Sequence, residues 1–285
     1  MPQVAIVTDT TACLLPTQIA QYRIELVPIE LVFGDKVYRD VDLEPARFYT
    51  MLRQAAKPPT TVGSLPGPFL EAYRRASGQA RNILCITESA KFSGMFNSAR
   101  LAMETAREGL PGINISVMEC TSAAAGQGLV VLAAAQAAAA GGSLAEVAGA
   151  AGAVMARVNL FAALDTLYYL VKGGRVPKAA GLANSVLKIK PVFTVHGGEA
   201  HTVALPRTTA SAINQMLKLM KKKAGNEQPL HVAVMHADAP EQAVSLRDRI
   251  TAQFRCTELF ITEFTPVMAV HSGPGVIGVA FYGDG

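Results

Sequence analysis

The stretch Asn82-Ile-Leu-Cys-Ile-Thr87 runs through Glu88-Ser-Ala-Lys-Phe92 into Ser93-Gly-Met-Phe-Asn97-Ser98. A short apolar run bounded by polar residues predicts a strand, and the pattern from Asn97 onward predicts a helix. The segment therefore reads as strand, Ser-Gly turn, helix. Upstream, the same alternation predicts strands at Val4–Thr8 and Leu26–Phe33, with helices near Pro16–Tyr22, Pro45–Ala55 and Pro68–Ser77. Downstream it predicts a helix over Asn97–Glu108, a strand at Ile113–Met118 and a helix over Gly126–Ala140. Strands that alternate with helices pack as a largely parallel sheet with helices on its faces.

The alternation stops at Gly141-Gly142, and Ser143-Leu-Ala-Glu146 is a capping box that starts a new helix. After Asn159 the pattern changes. Strands are expected at Leu160–Asp165, Val192–His196, Glu199–Leu205, His231–Met235, Cys256–Thr262 and Val276–Phe281. Gly197-Gly198 between two of them is a hairpin signal. Helical patterns near Ala179–Leu187, Thr208–Lys223 and Pro240–Gln253 separate others. The expectation is an α/β chain of two domains with a ligand site at their interface. Residues 1–157 form a mostly parallel sheet flanked by helices, and residues 158–285 carry a mixed or antiparallel sheet.

The chain has 285 residues, 50% of them hydrophobic and 17% charged, with a net charge of +4. Its length suits two domains of about 100–200 residues each. A pI of 8.9 invites a nucleic-acid reading. The basic residues are scattered, however, and no zinc spacing or aromatic platform accompanies them, so nucleic acid is not expected. The one dense group, Lys218 with Lys221–Lys223, ends a predicted helix, where it complements the macrodipole. It is read as a solvated helix end or as a patch for a partner or for transient membrane contact. The four cysteines form no C-x-x-C pair, the N-terminus enters a strand at once, and Leu129–Ala140 is too short to span a bilayer. A cytoplasmic protein without a transmembrane segment is expected.

Four polar clusters sit beside glycine at strand ends: Thr8–Thr11, Thr60–Ser64, Ser93–Ser98 and His271–Gly275. In open α/β sheets ligands bind beyond the carboxyl ends of the strands. Ser93 either caps the following helix or, with exposed N–H groups and a helix N-terminus, helps hold an anion. His271 is either a core histidine or a ligand group. The other four histidines read as structural, and no metal spacing is present. Lys172-Gly-Gly-Arg175 is either a helix stop at Gly173 with an exposed arginine, or an arginine aimed at carboxylate or phosphate. Asp9 either orients a polar network or caps the helix that starts at Pro16, the latter being favoured. No nucleotide-binding loop and no G-x-S-x-G elbow are present.

In order, Val7-Thr-Asp-Thr-Thr-Ala12, Ser93-Gly-Met-Phe-Asn-Ser-Ala99, Gly126-Gln-Gly-Leu129, Lys172-Gly-Gly-Arg175, Lys188-Ile-Lys-Pro191 and His271-Ser-Gly-Pro-Gly275 resemble the DegV family of bacterial fatty-acid-binding proteins. The resemblance implies a carrier, without activity of its own, that serves a fatty-acid kinase. It implies that a separate ATP-binding kinase protein, similar to dihydroxyacetone kinases, phosphorylates the carboxylate. The acyl phosphate then feeds phospholipid synthesis. It assigns the carboxylate contacts to Thr61, Ser93, the Gly94 N–H and His271, phosphoryl-transfer support to Arg175, and a kinase contact to Arg207. It implies a long-chain fatty acid as the bound ligand, with no cofactor and no metal. Two departures stand out. Val62-Gly-Ser-Leu65 replaces the common Ser-Gln-Pro-Ser, and Glu119-Cys120 replaces Asp-Ser.

A buried carboxylate needs hydrogen-bond donors, and a long tail needs an apolar tunnel. Phe161, Leu164, Leu167, Phe193, Met268 and Ile277 are candidates for its wall, or for ordinary core. Two rivals remain: a Ser93/His271 hydrolase and a binder of some other small anion.

Overall fold

The computed structural model describes residues 2–62, 65–175, 189–224 and 228–284. It is a mixed α/β fold with one parallel sheet, one mixed sheet and a small third sheet. Strands β1 (Val4–Asp9), β2 (Glu25–Val27), β6 (Asn82–Thr87) and β7 (Asn114–Glu119) pair in the order β2-β1-β6-β7, all parallel. Strand β1 is buried along its whole length, as expected for a parallel strand covered on both faces. Helices α3 (Pro66–Ser77) and α4 (Met95–Gly109) pack on each other and on this sheet, as do α5 (Ala125–Ala139) and α6 (Leu144–Arg157). The predicted capping box forms: Ser143 Oγ accepts the Glu146 N–H at 3.4 Å, and Glu146 accepts the Ser143 N–H at 2.8 Å.

The predicted single strand Leu26–Phe33 is two strands in two sheets. Pro28 lacks an amide donor and cannot continue a ladder, so the chain leaves the parallel sheet after Val27. Strand β3 (Glu30–Phe33) then turns through Gly34-Asp35 into β4 (Lys36–Arg39), with Gly34 at a φ of +60°. A short β5 (Thr60–Thr61) pairs on the other side of β3 and positions Thr61.

From Asn159 onward the strands form a six-stranded sheet in the order β10-β9-β8-β13-β11-β12. These are β8 (Asn159–Ala163), β9 (Val192–His196), β10 (Glu199–Ala204), β11 (Leu230–Ala237), β12 (Cys256–Glu263) and β13 (Val276–Gly283). Only the β11–β12 pair is parallel. The Gly197-Gly198 hairpin forms between β9 and β10. Its tip reaches the loops after β7 and β6: the Gly198 N–H donates to Thr121 O at 3.0 Å, and Lys91 pairs with Glu199 at 2.9 Å.

Helices α8 (Thr209–Ala224) and α9 (Pro240–Thr251) cover one face of this sheet, burying Met216, Met220, Leu246 and Ile250 against Val232, Val234 and Val279. Helix α5 packs on the sheet at β11 and β13 and also on β1. Enclosure on both sides explains why all of Ala125–Ala135 is buried and why α5 has no polar face. No helix among the described residues is long and apolar enough to cross a membrane. The helix predicted at Ala179–Leu187 and the Lys188 end of its motif lie outside the described residues, as do Gly63 and Ser64.

Candidate functional site

Beyond the carboxyl ends of β1 and β6 lies a cavity of about 200 Å³. On the same measure a single water needs roughly 10–15 Å³. Its walls are apolar for most of their length. Leu160 and Ala162 from β8, Phe193 and Val195 from β9, Ala200 from β10 and Met235 from β11 supply one side. Phe264, and Val267 and Met268 from helix α10 (Pro266–Ser272), close another. Ala124 is also on the wall, with a φ of +47°. Few alanines adopt that region, and holding one there costs of order 1–3 kcal/mol.

One end of the cavity is polar. Thr61, Glu88, Ser93, Gly94, Arg175 and His271 all reach it. They come from β5, the loop after β6, the turn after helix α7 (Tyr168–Gly173) and the last turn of α10. Five of the six were singled out from the sequence; Glu88 was not. Of the six apolar candidates, Leu164, Phe193 and Met268 line the cavity. Phe161 and Ile277 point through the sheet to the α8–α9 side, where Phe161 packs on Phe281 with centroids 6.1 Å apart. Leu167 is buried in the core away from the wall. Arg207 stands exposed between β10 and α8, outside the cavity.

Ser93 Oγ accepts the Met95 N–H at 3.2 Å and lies 2.6 Å from Glu88 Oε1. Ser93 thus braces the start of α4, whose cap position is Gly94, and still faces the cavity. The cap and ligand-facing readings of this residue are both compatible with the geometry.

Behind Glu88 stands Asp9. The favoured expectation that Asp9 caps the Pro16 helix is corrected: α1 (Pro16–Tyr22) begins at Leu15 without a side-chain cap. Asp9 instead accepts the Thr11 N–H at 3.0 Å, Gln127 Nε2 at 3.2 Å and, on its other oxygen, the Glu88 N–H at 3.0 Å. The Thr11 hydroxyl bonds it as well. Gln127 can reach Asp9 because Gly128 lets α5 approach the Ala12 carbonyl, where a Cβ would stand at 2.5 Å.

Burial pushes both carboxyls up. The donors around Asp9 favour its charged form, so the proton of this pair belongs on Glu88. Glu88 is raised to about 8 by burial and then by the charge of Asp9, against Arg175.

His271 Nδ1 is buried without a hydrogen-bond partner among the described residues. Burial, and then the charge of Arg175, holds the ring down to about 4, so the imidazole is neutral. Gly173 makes room for it, since a Cβ there would stand 2.7 Å from Nδ1. The left-handed residue that ends α7 is Gly174, at a φ of +68°, and not Gly173 as the sequence suggested. Gly173 is the last helical residue and serves the ring instead. The turn sends Arg175 back across the polar end, where it donates to Gly173 O at 2.7 Å and to Thr61 Oγ1 at 3.4 Å.

A neutral histidine, hydroxyls, a helix N-terminus and an arginine suit an anionic head group, and the apolar walls suit a hydrocarbon tail. A serine-hydrolase triad needs a carboxylate on histidine Nδ1; His271 Nδ1 has none among the described residues. No metal-ligand cluster occurs among the described residues.

The family described as "Uncharacterised protein, DegV family" matches residues 3–284. A DegV domain-containing protein of Streptomyces coelicolor is 34% identical over 97% of each chain. Among solved structures, a Thermus thermophilus DegV family protein described as fatty acid binding superposes with a TM-score of 0.91, at 26% identity over 100% of both chains. Bacillus subtilis DegV, described as a fatty acid binding protein, gives a TM-score of 0.88 at 25% identity over 100% of both. A stearic-acid-binding protein from Eubacterium ventriosum gives 0.90 at 25% identity, covering 99% of this chain and 98% of the other.

Proposed function

This chain belongs to the DegV family, and we propose that its cavity holds a long-chain fatty acid and presents the carboxylate to a separate kinase. The observation that carries this reading is a mostly apolar cavity at one end of which Thr61, Ser93, Gly94, Arg175 and His271 meet. The fatty-acid binding described for the Thermus thermophilus and Bacillus subtilis proteins supports it.

The physical logic is direct. Each methylene moved from water into the cavity contributes about 0.8 kcal/mol. A buried carboxylate is costly unless hydrogen-bonded. Thr61, Ser93, the Gly94 N–H and His271 supply donors in this reading, His271 as a neutral ring with an N–H to offer. Arg175, at the mouth, offsets the negative charge that develops when a phosphoryl group is transferred to the carboxylate. Arg207, exposed and away from the cavity, contacts an ATP-binding kinase similar to dihydroxyacetone kinases. The chain is then the lipid-carrying subunit of a two-protein system whose acyl phosphate feeds phospholipid synthesis.

The test is extraction of natively purified protein with organic solvent and mass spectrometry of the extract. The expected result is a long-chain fatty acid in near one-to-one amount. A lipid-free protein that also takes up no added fatty acid ends the proposal. Transfer of phosphate to the bound acid by such a kinase, lost in Arg175→Ala with the acid still bound, tests the second half.

A further inference from the structure

Ser93 has one hydroxyl hydrogen, and Glu88 and the cavity compete for it. An ionised carboxylate only accepts. If Glu88 is ionised, it takes the Ser93 hydrogen across their 2.6 Å contact. With one lone pair taken by the Met95 N–H, Ser93 then turns its other lone pair toward the cavity, which repels an anion. If Glu88 carries a proton, it donates to Ser93 Oγ and frees the Ser93 hydrogen for a ligand. Building on the fatty-acid reading above, we infer that Glu88 is a positioning and specificity-determining residue. Through Ser93, its proton decides whether the polar end donates to a carboxylate or accepts from a neutral head group such as an alcohol.

The surroundings fix where the proton resides. From β1, Asp9 accepts the Glu88 N–H at 3.0 Å and holds a charge behind it, stabilised by Thr11 and Gln127. From β7, Glu119 is engaged by Ser89 Oγ at 3.0 Å and the Ala90 N–H at 2.8 Å. Lys91, on the same loop, is paired with Glu199. Arg175 faces Glu88 from the end of α7, and His271 lines the cavity from α10. Arg175 favours the ionised form, but burial and Asp9 outweigh it, and Glu88 keeps its proton up to about 8. His271, held down to about 4, does not titrate in that range.

The experiment measures displacement of a fluorescent polyene fatty acid from the full chain between pH 6.5 and 9.5. A fatty alcohol of equal length is the second competitor. Wild-type affinity for the carboxylate should hold to about pH 7.5 and fall roughly 30-fold by pH 9.5, as one proton is lost from the binding-competent form. Affinity for the alcohol should not fall. Glu88→Gln, whose amide donates to Ser93 at every pH, should lack the step.

A wild-type profile flat to pH 9.5, or a step that survives in Glu88→Gln, overturns the inference and leaves the fatty-acid reading standing. Failure of wild type to bind either probe at any pH overturns both. Should Glu88→Gln not fold, the infrared carbonyl band of a protonated buried carboxyl decides. It should be present in wild type at pH 6.5 and fade above pH 8, and its absence at pH 6.5 overturns the inference.

Discussion

The two ends of the cavity are built by different physics. The apolar length is made of strand and helix side chains whose backbones are already paired, so its shape follows from packing. The polar end is made of loop and terminus groups, and its properties follow from which hydrogen goes where. Ser93, Glu88 and Asp9 form a chain of contacts of 3.0 Å or less, and a change in one alters the others. The tail wall tolerates exchange of one apolar residue for another of like volume. The polar end has no such slack.

The sharpest way to break this contrast is to shorten the tail end alone. Ala162→Phe places a ring on the wall at β8; if it displaces about six methylenes, the loss is about 5 kcal/mol. Affinity for a long-chain acid should drop by a thousandfold or more, while an acid shorter by about six carbons binds nearly as it does to wild type. Titration with a chain-length series measures it.

Damage to the head end should be smaller and independent of tail length. Ser93→Ala removes one donor to a charged group, about 1.5–3 kcal/mol. The expected loss is roughly 10- to 150-fold, equal for every acid in the series. A loss that changed with tail length would merge the two ends into one.

The mildest change is Gly173→Ala, whose Cβ must displace the His271 ring. A three- to tenfold loss is expected, accompanied by a shift of the His271 proton resonances in NMR spectra. Unshifted resonances would mean that the ring does not rest on Gly173.

The sequence was legible wherever local chemistry decides. The strand over Asn82–Thr87, the capping box at Ser143 and the Gly197-Gly198 hairpin are local patterns, and each formed. The proline at 28 was equally local, but the apolar run that spans it obscured the break.

Which face a strand residue uses was not legible for β8 and β13. Both faces of these strands are buried, so there is no polar alternation to mark the inward side. Leu160 and Ala162 therefore reach the cavity while their neighbour Phe161 does not. Glu88 was missed for a related reason. An acid after a strand reads as a solvated loop residue, and only the folded chain shows it to be 9% exposed against Asp9. A lone acid between a strand and a Ser-Gly turn was the available signal.

Helix α5 carries a consequence for the width of the cavity. Its alanines lie between β1 on one side and β11 and β13 on the other, so the helix acts as a gauge block of fixed thickness. At Gly128 it lies as close to the end of β1 as a backbone permits, since a Cβ there would stand 2.5 Å from the Ala12 carbonyl. One added methyl there would spread the layers and change the calibre of every ligand that fits, without touching a single residue of the pocket.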